Sequence, residues 1–277
     1  MRCTTLAATA AAALTAASSA SAFVVDHTYA EPTFDRWNYP FNGTPGVRTT
    51  ASTFSDGGFP GAFDLRDGQF LNSFATAAQF APGQGPANYV VTSASLTATV
   101  AFANGYVVGG TGGAAPVELF GTGFRNGLNA FAYGEIAPFA FADVTLPGVR
   151  NAFAADASGA DASNNPAAAP FALGSIAGKT TGDAVADGDV FEFALDVSDP
   201  GVLAYLQGGL NAGILSFSLT SLEVADPSGG GVFPIFGTKE GTAGNVTLSL
   251  TVDIVPAPGA VAALALAGLT AARRRRA

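Results

Sequence analysis

From Asn245 to Ile254 the chain alternates without a break. Val246, Leu248, Leu250, Val252 and Ile254 fall on one side, and Asn245, Thr247, Ser249, Thr251 and Asp253 on the other. Successive side chains of a strand point to opposite faces, so this period of two predicts a strand with one packed face and one wet face. A helix would scatter the same apolar residues around its circumference. The pattern recurs from Tyr89 to Phe102, predicting Val90, Ala94, Leu96, Val100 and Phe102 inward. It recurs from Asp189 to Val197, with Phe191, Phe193, Leu195 and Val197 on one face. Leu215, Phe217 and Leu219 repeat it, and the parity change at Leu222 predicts a bulge. Shorter candidate strands are Gln69 to Phe74, Val117 to Phe120, Leu128 to Tyr133, Phe171 to Ile176 and Val232 to Phe236.

One helix signal stands among them. Asp199 can cap, Pro200 suits the first turn, and Val202, Leu203 and Leu206 follow, with Gly208-Gly209 weakening the end. Many strands and one short helix predict an all-β, antiparallel β-sandwich, jelly-roll-like in connection. Two smaller all-β domains are the alternative. The stretch Asp143 to Gly188 is rich in Ala, Gly, Asp and Asn and predicts a mobile surface insertion.

The two ends read as addresses. Arg2 precedes an apolar run from Leu6 to Ala17, and Ala20-Ser21-Ala22 supplies the small residues of a cleavage site. Residues 1–22 therefore predict a secretory signal peptide cut before Phe23. At the other end Val255-Pro256-Ala257-Pro258-Gly259 leads into an apolar run, 260–272, closed by Arg273, Arg274, Arg275 and Arg276. Thirteen helical residues reach roughly 20 Å, short of a hydrocarbon core of about 30 Å. Counting from Pro256 brings the run to the lower limit for a transmembrane helix, and four arginines fix that end in the cytoplasm. Between the ends, 23–254 predicts one β-sandwich ectodomain.

A Pro-x-Pro motif, a brief transmembrane helix and a terminal Arg cluster together resemble the PEP-CTERM sorting signal. The resemblance covers residues 255–276 through Val255, Pro256, Pro258 and the four arginines. It departs at Ala257, where the family carries glutamate, and this puts the cleavage position in doubt. It implies sorting by an exosortase, a membrane transpeptidase, with signal peptidase as the other export partner. The chain would be held in the membrane by its C-terminus until processed, and would then reside at the cell surface, the outer membrane or the extracellular matrix.

A looser resemblance spans the ectodomain. Asp35-Arg36-Trp37 comes first, then Arg66-Asp67-Gly68-Gln69-Phe70-Leu71-Asn72-Ser73-Phe74, then Val91-Thr92-Ser93-Ala94-Ser95-Leu96-Thr97. Val202-Leu203-Ala204-Tyr205-Leu206-Gln207-Gly208-Gly209 and Gly213-Ile214-Leu215 follow. This order resembles the DNRLRE-type secreted modules, β-sandwiches similar to carbohydrate-binding modules. The stretch 139–188 departs from their compact pattern. The resemblance implies a non-catalytic extracellular domain associated with exopolysaccharide.

Charge and rare residues narrow the chemistry. Seven of the twelve basic residues lie in the ectodomain against all 21 acidic ones, which leaves about fourteen net negative charges there. Such a surface repels nucleic acid and anionic lipid. A single Cys, Cys3, lies in the signal peptide, and a single His, His27, follows the cleavage site closely. Together they exclude zinc fingers, iron–sulfur sites and Cys/His hydrolases. His27 reads as a strand residue rather than a triad base. Asp183, Asp187, Asp189 and Glu192 around Gly188 are the candidate calcium ligands, without the EF-hand spacing, and a solvated Asp-Gly turn is the competing reading. Trp37 and Tyr39 are the candidate sugar-stacking rings, against a role as a core plug. Gly109-Gly110-Thr111-Gly112-Gly113 lacks the Lys and helix of a phosphate loop. The expectation is a non-enzymatic exported surface protein. Its alternatives are a purely structural or adhesive role and a carbohydrate-active hydrolase or lyase working through paired carboxylates.

Overall fold

The computed structural model describes residues 22–39, 42, 44–55, 68–122, 169–225 and 231–255. The signal segment before Ala22, the candidate strand Leu128 to Tyr133 and the sorting residues Pro256, Pro258 and Arg273 to Arg276 lie outside them. Among the described residues no helix is long and apolar enough to cross a membrane.

Among the described residues twelve strands and one α-helix run in the order β1 (Phe23–Tyr29), β2 (Phe34–Asn38), β3 (Thr50–Ser52), β4 (Gln69–Ala75), β5 (Tyr89–Phe102) and β6 (Val117–Gly121). Then come β7 (Ala172–Leu173), β8 (Ser175–Ile176), β9 (Val190–Ala194), α1 (Pro200–Ala212), β10 (Ile214–Ser221), β11 (Ile235–Gly237) and β12 (Thr247–Ile254). A five-stranded sheet has the order β2-β4-β10-β6-β7. The seven-stranded sheet follows β1-β12-β5-β11-β3, with β9 also on β5 and β8 on β9. All of these pairings are antiparallel. The first six strands alternate between the sheets, so each connection crosses the sandwich.

The inner faces meet in one continuous core. Phe70, Phe74, Leu119, Leu215, Phe217 and Leu219 come from the smaller sheet. Leu96, Ala98, Val100, Phe191, Phe193, Leu248, Leu250 and Val252 come from the larger. The alternation of β12 is realised residue by residue, with Val246, Leu248, Leu250, Val252 and Ile254 all buried. Phe191, Phe193 and Leu195 are inward as expected, with Val197 half-buried.

Strand β5 has the expected bounds, but its facing differs from the simple parity. Val252 pairs with Val91 and Thr251 with Ser93, so Thr92 is an extra residue. That bulge reverses which parity points inward. Tyr89 and Val91 are buried before it, Ala94, Leu96, Ala98 and Val100 after it, and Val90 is 43% exposed. Phe102, also expected inward, is 55% exposed at the end of the strand. The bulge predicted at Leu222 is absent, because β10 ends at Ser221, whose hydroxyl accepts the N–H of Glu223 at 3.1 Å.

The stretch 171–188, expected to belong to a surface insertion, is built into the sandwich. Phe171, Ile176 and Val185 are buried, and the chain passes from β7 in one sheet to β8 in the other through Gly174. A Cβ at Gly174 would lie 2.7 Å from Phe191 and 2.8 Å from Phe193, so only glycine allows the crossing there.

Helix α1 starts as expected and runs further. Asp199 accepts the N–H groups of Gly201 at 2.8 Å and Val202 at 3.1 Å, with Pro200 in the first turn. Val202, Leu206 and Leu210 are buried on one stripe, and Gly213 closes the helix at φ 82°. The helix continues through Gly208-Gly209 because Gly209 brings it onto β10. A Cβ at Gly209 would stand 2.3 Å from Leu215 and 2.7 Å from the Ile214 carbonyl, whereas Gly208 faces open space. Gly208→Ala should therefore stabilise the fold by about 0.5–1 kcal/mol, and Gly209→Ala should destabilise it by more than about 2 kcal/mol. Urea unfolding midpoints of the two variants, moving in opposite directions, check this.

Candidate functional site

Strand β2 is the edge of the five-stranded sheet, and its alternation sends Asp35 and Trp37 toward the core and Arg36 and Asn38 to the outer face. The structure brings Trp37 and Tyr39 together, stacked on each other at 5.0 Å between centroids and 15° between planes. Tyr39 meets Phe54 edge-on at 5.6 Å, and Phe54 packs on Phe233 at 4.8 Å. The Trp37 indole N–H donates to the Ser52 carbonyl at 2.9 Å. Asn42, buried, ties the following loop to this stack. It donates to the Trp37 carbonyl at 3.0 Å and accepts from the Thr44 N–H and Arg48 Nε, both at 3.1 Å. That bond aims the exposed Arg48 guanidinium over the Trp37 ring, 5.9 Å from its centroid. One face of each expected stacking ring is thus spent on the other. Trp37 stays half-buried beside Arg48.

Asp35 lies behind this stack with no exposure. Its Oδ2 accepts the Lys239 backbone N–H at 2.8 Å, and the Lys239 ammonium donates to the Thr33 carbonyl at 3.1 Å. Burial pushes the Asp35 carboxyl up to about 7, with the neighbouring Glu240 charge adding to the rise and the Lys239 N–H opposing it. Burial alone pushes Glu118, on β6, up to about 7 as well. These two carboxyls have the proton affinity of an acid–base pair but not its geometry. They sit on opposite faces of the sheet, on β2 and β6, with β4 and β10 between them. Three strand spacings amount to about 14 Å, well beyond the roughly 5–9.5 Å of a glycosidase pair.

The candidate calcium ligands are not brought together. Asp183 accepts the Thr180 N–H at 2.7 Å and hydroxyl at 2.9 Å. Asp187 accepts the Ala103 N–H at 2.8 Å. Asp189 accepts the Ala186 N–H at 2.6 Å and pairs with the Lys179 ammonium. Glu192 is exposed on β9. Asp183 and Asp189 each close a local turn, as short carboxylates do with backbone N–H groups, whereas Asp187 reaches across to the residue after β5. These bonds hold Asp183 and Asp189 below the usual carboxylate range. Among the described residues no group of three His, Cys, Asp or Glu is placed to hold a metal ion. Calcium titration should accordingly release no heat, and chelator should leave the melting temperature unchanged. A rise in Tm with calcium would require these turns to reopen around the ion.

Sequence reasoning missed Glu223. The glycine run Gly109 to Gly113 has positive φ at Gly109, Gly110, Gly112 and Gly113, and the loop receives this buried carboxylate. The Thr111 N–H donates to one Glu223 oxygen at 2.7 Å and its hydroxyl to the other at 2.5 Å. The anion in the glycine loop is therefore the chain's own. Also missed was the polar outer face of the five-stranded sheet, with Arg36, Asn38, Gln69, Ser73, Ser216, Ser218 and Thr220 all buried. Ser73 and Ser216 bond to each other at 2.6 Å. Among the described residues, Asn38 Oδ1, Thr122 Oγ1, Ser218 Oγ and Thr220 Oγ1 are buried without a hydrogen-bond partner. The signal for this face was the Ser-x-Ser-x-Thr alternation of β10, which a solvated face shows equally.

His27 lies on β1 with its ring against Tyr29 at 4.5 Å, opposite Leu250. Ala22, the residue before the expected cleavage point, precedes β1, and Ala20 lies outside the described residues. Val255 follows β12 and donates its N–H to the Asn88 carbonyl at 2.9 Å. No protein-family model matches the chain, and no curated protein matches it.

The raised Asp35 carboxyl has a consequence for stability. Its folded pKa, about 7, lies above the unfolded carboxylate value, so the folded state keeps a proton that the unfolded chain has lost. Stability should be highest below about pH 4 for this group and fall as the pH rises to 7, by roughly 2–4 kcal/mol. Glu118 acts in the same sense. Asp35→Asn should flatten part of the decline, measured as urea unfolding free energy from pH 4.5 to 8. A variant whose profile matches the parent would show that Asp35 is ionised in the folded state.

Proposed function

We propose that this is a non-enzymatic exported protein of the cell surface or extracellular matrix. An N-terminal signal peptide delivers it, an exosortase-type system sorts it through Val255, Pro256, Pro258 and Arg273 to Arg276, and it associates with exopolysaccharide. The observation that carries most weight is the position of the first and last strands. Strand β1 begins at Phe23, directly after the expected cleavage site, and β12 ends at Ile254, directly before the sorting segment. Phe23 and Ile254 are paired in register. The sandwich occupies the interval between the two addresses, and both addresses leave from one corner. The alternation of early strands between sheets supports the jelly-roll-like reading. The exopolysaccharide part rests on half-buried Trp37 beside the exposed Arg48 guanidinium. The separation of Asp35 and Glu118 weighs against a hydrolase or lyase.

Two measurements test this reading. In an exporting host the surface fraction should begin at Phe23 and lack the Arg cluster. An intact N-terminus with the Arg cluster retained in that fraction would overturn the export reading. On affinity gels of host exopolysaccharide, Arg48→Ala should leave folding intact and lower retention several-fold. Equal retention of variant and parent, with silence on a glycan array, leaves the purely structural or adhesive role.

A further inference from the structure

The corner from which both addresses leave is apolar. Phe23 is 49% exposed, Val24 66%, Val90 43% and Val255 38%. Ten large apolar residues are exposed among those described, and these four are neighbours. Val24 is paired with Asp253, which is paired with Val90, so the two valines flank one aspartate on the outer face of the sheet. Phe23 is paired with Ile254, the residue before Val255.

The length of chain that follows sets where this corner can go. Four residues, Pro256 to Gly259, separate Val255 from the apolar run 260–272. Fully extended they reach about 14 Å. The apolar run spans roughly 20 Å as a helix, less than a hydrocarbon core of about 30 Å. With its Arg cluster held among the cytoplasmic headgroups, such a short run draws its other end inward, and the linker with it.

We infer that, while the C-terminus holds the chain in the membrane, the corner formed by Phe23, Val24, Val90 and Val255 rests in the interfacial layer of the bilayer. The inference depends on the anchoring reading above and adds an orientation to it. The sandwich stands on this corner, with β5 carrying the Gly109–Gly113 loop away from the lipid. The edge of β1 and the bond before Phe23 lie at the membrane surface. Asp253 lies between Val24 and Val90 and Asp26 follows on β1, so the contact carries its own negative charge and suits a zwitterionic surface rather than an anionic one.

The test uses the chain purified from membranes of an exporting host, in a Cys3→Ser background, reconstituted into phosphatidylcholine vesicles. Single cysteines replace Val24 at the corner and the exposed Ala114 at the opposite end, each labelled with an environment-sensitive fluorophore. Spin-labelled lipid should quench position 24 several-fold more than position 114. Adding Phe23→Ser and Val90→Ser should lower that quenching while the chain still floats with the vesicles. Equal, weak quenching at both positions in a chain that floats overturns the orientation alone. A chain that does not float with the vesicles overturns the anchoring reading and the orientation together.

Discussion

The pairing of β12 with both β5 and β1 is the constraint on which the rest of the molecule depends. Strand β12 lies between them, its four alternate apolar residues buried and its Ser and Thr residues facing the other way. On that wet side Thr97 bonds Thr247 at 2.7 Å and Thr28 bonds Ser249 at 2.8 Å, hydroxyl to hydroxyl across neighbouring strands. Because β1 opens the described sandwich and β12 ends it, the pairing closes a loop that runs from Phe23 to Ile254. Its loop-closure entropy must be met by the core that the loop encloses.

The core and the polar features divide the labour. Apolar burial across the two inner faces supplies the driving force. The polar groups set geometry. Asn42 positions the Trp37 stack and Arg48, Glu223 holds the glycine loop, and the three loop aspartates close turns against the strands they precede or cross. Among the described residues, the buried oxygens of Asn38, Thr122, Ser218 and Thr220 without partners cost of order 1–3 kcal/mol each. Buried Asp35 and half-buried Glu118 add carboxyls whose neutral form is favoured.

Particular residues show how far the pattern in the chain reaches. The bounds of β5 were legible from alternation, but its facing was not, because the single extra residue Thr92 reverses parity and only the partner strand reveals it. The N-cap of α1 was legible at Asp199 because capping is a local bond; its length was not, because Gly209 is set by contact with Leu215. Trp37 and Tyr39 were legible as a pair, being two residues apart on one face, whereas their mutual stacking depends on Asn42 folding the loop back. The acidic run suggested shared ligands, but each of its three aspartates bonds a backbone N–H of its own, and for Asp187 that N–H comes from distant Ala103. Glu223 carried no local signal, since its partner Thr111 is more than a hundred residues away.

The sequence by itself determined the all-β class, the one capped helix and most of the core-facing residues, since period and capping are properties of neighbours along the chain. It also set the interval between two address-like ends. Tertiary structure decided what depends on residues meeting from afar. It set the parity on either side of the bulge, the capture of Glu223 by the glycine loop and the 14 Å scale that separates Asp35 from Glu118. It also placed Phe23 beside Ile254, because strand pairing, unlike alternation, is written in two segments at once.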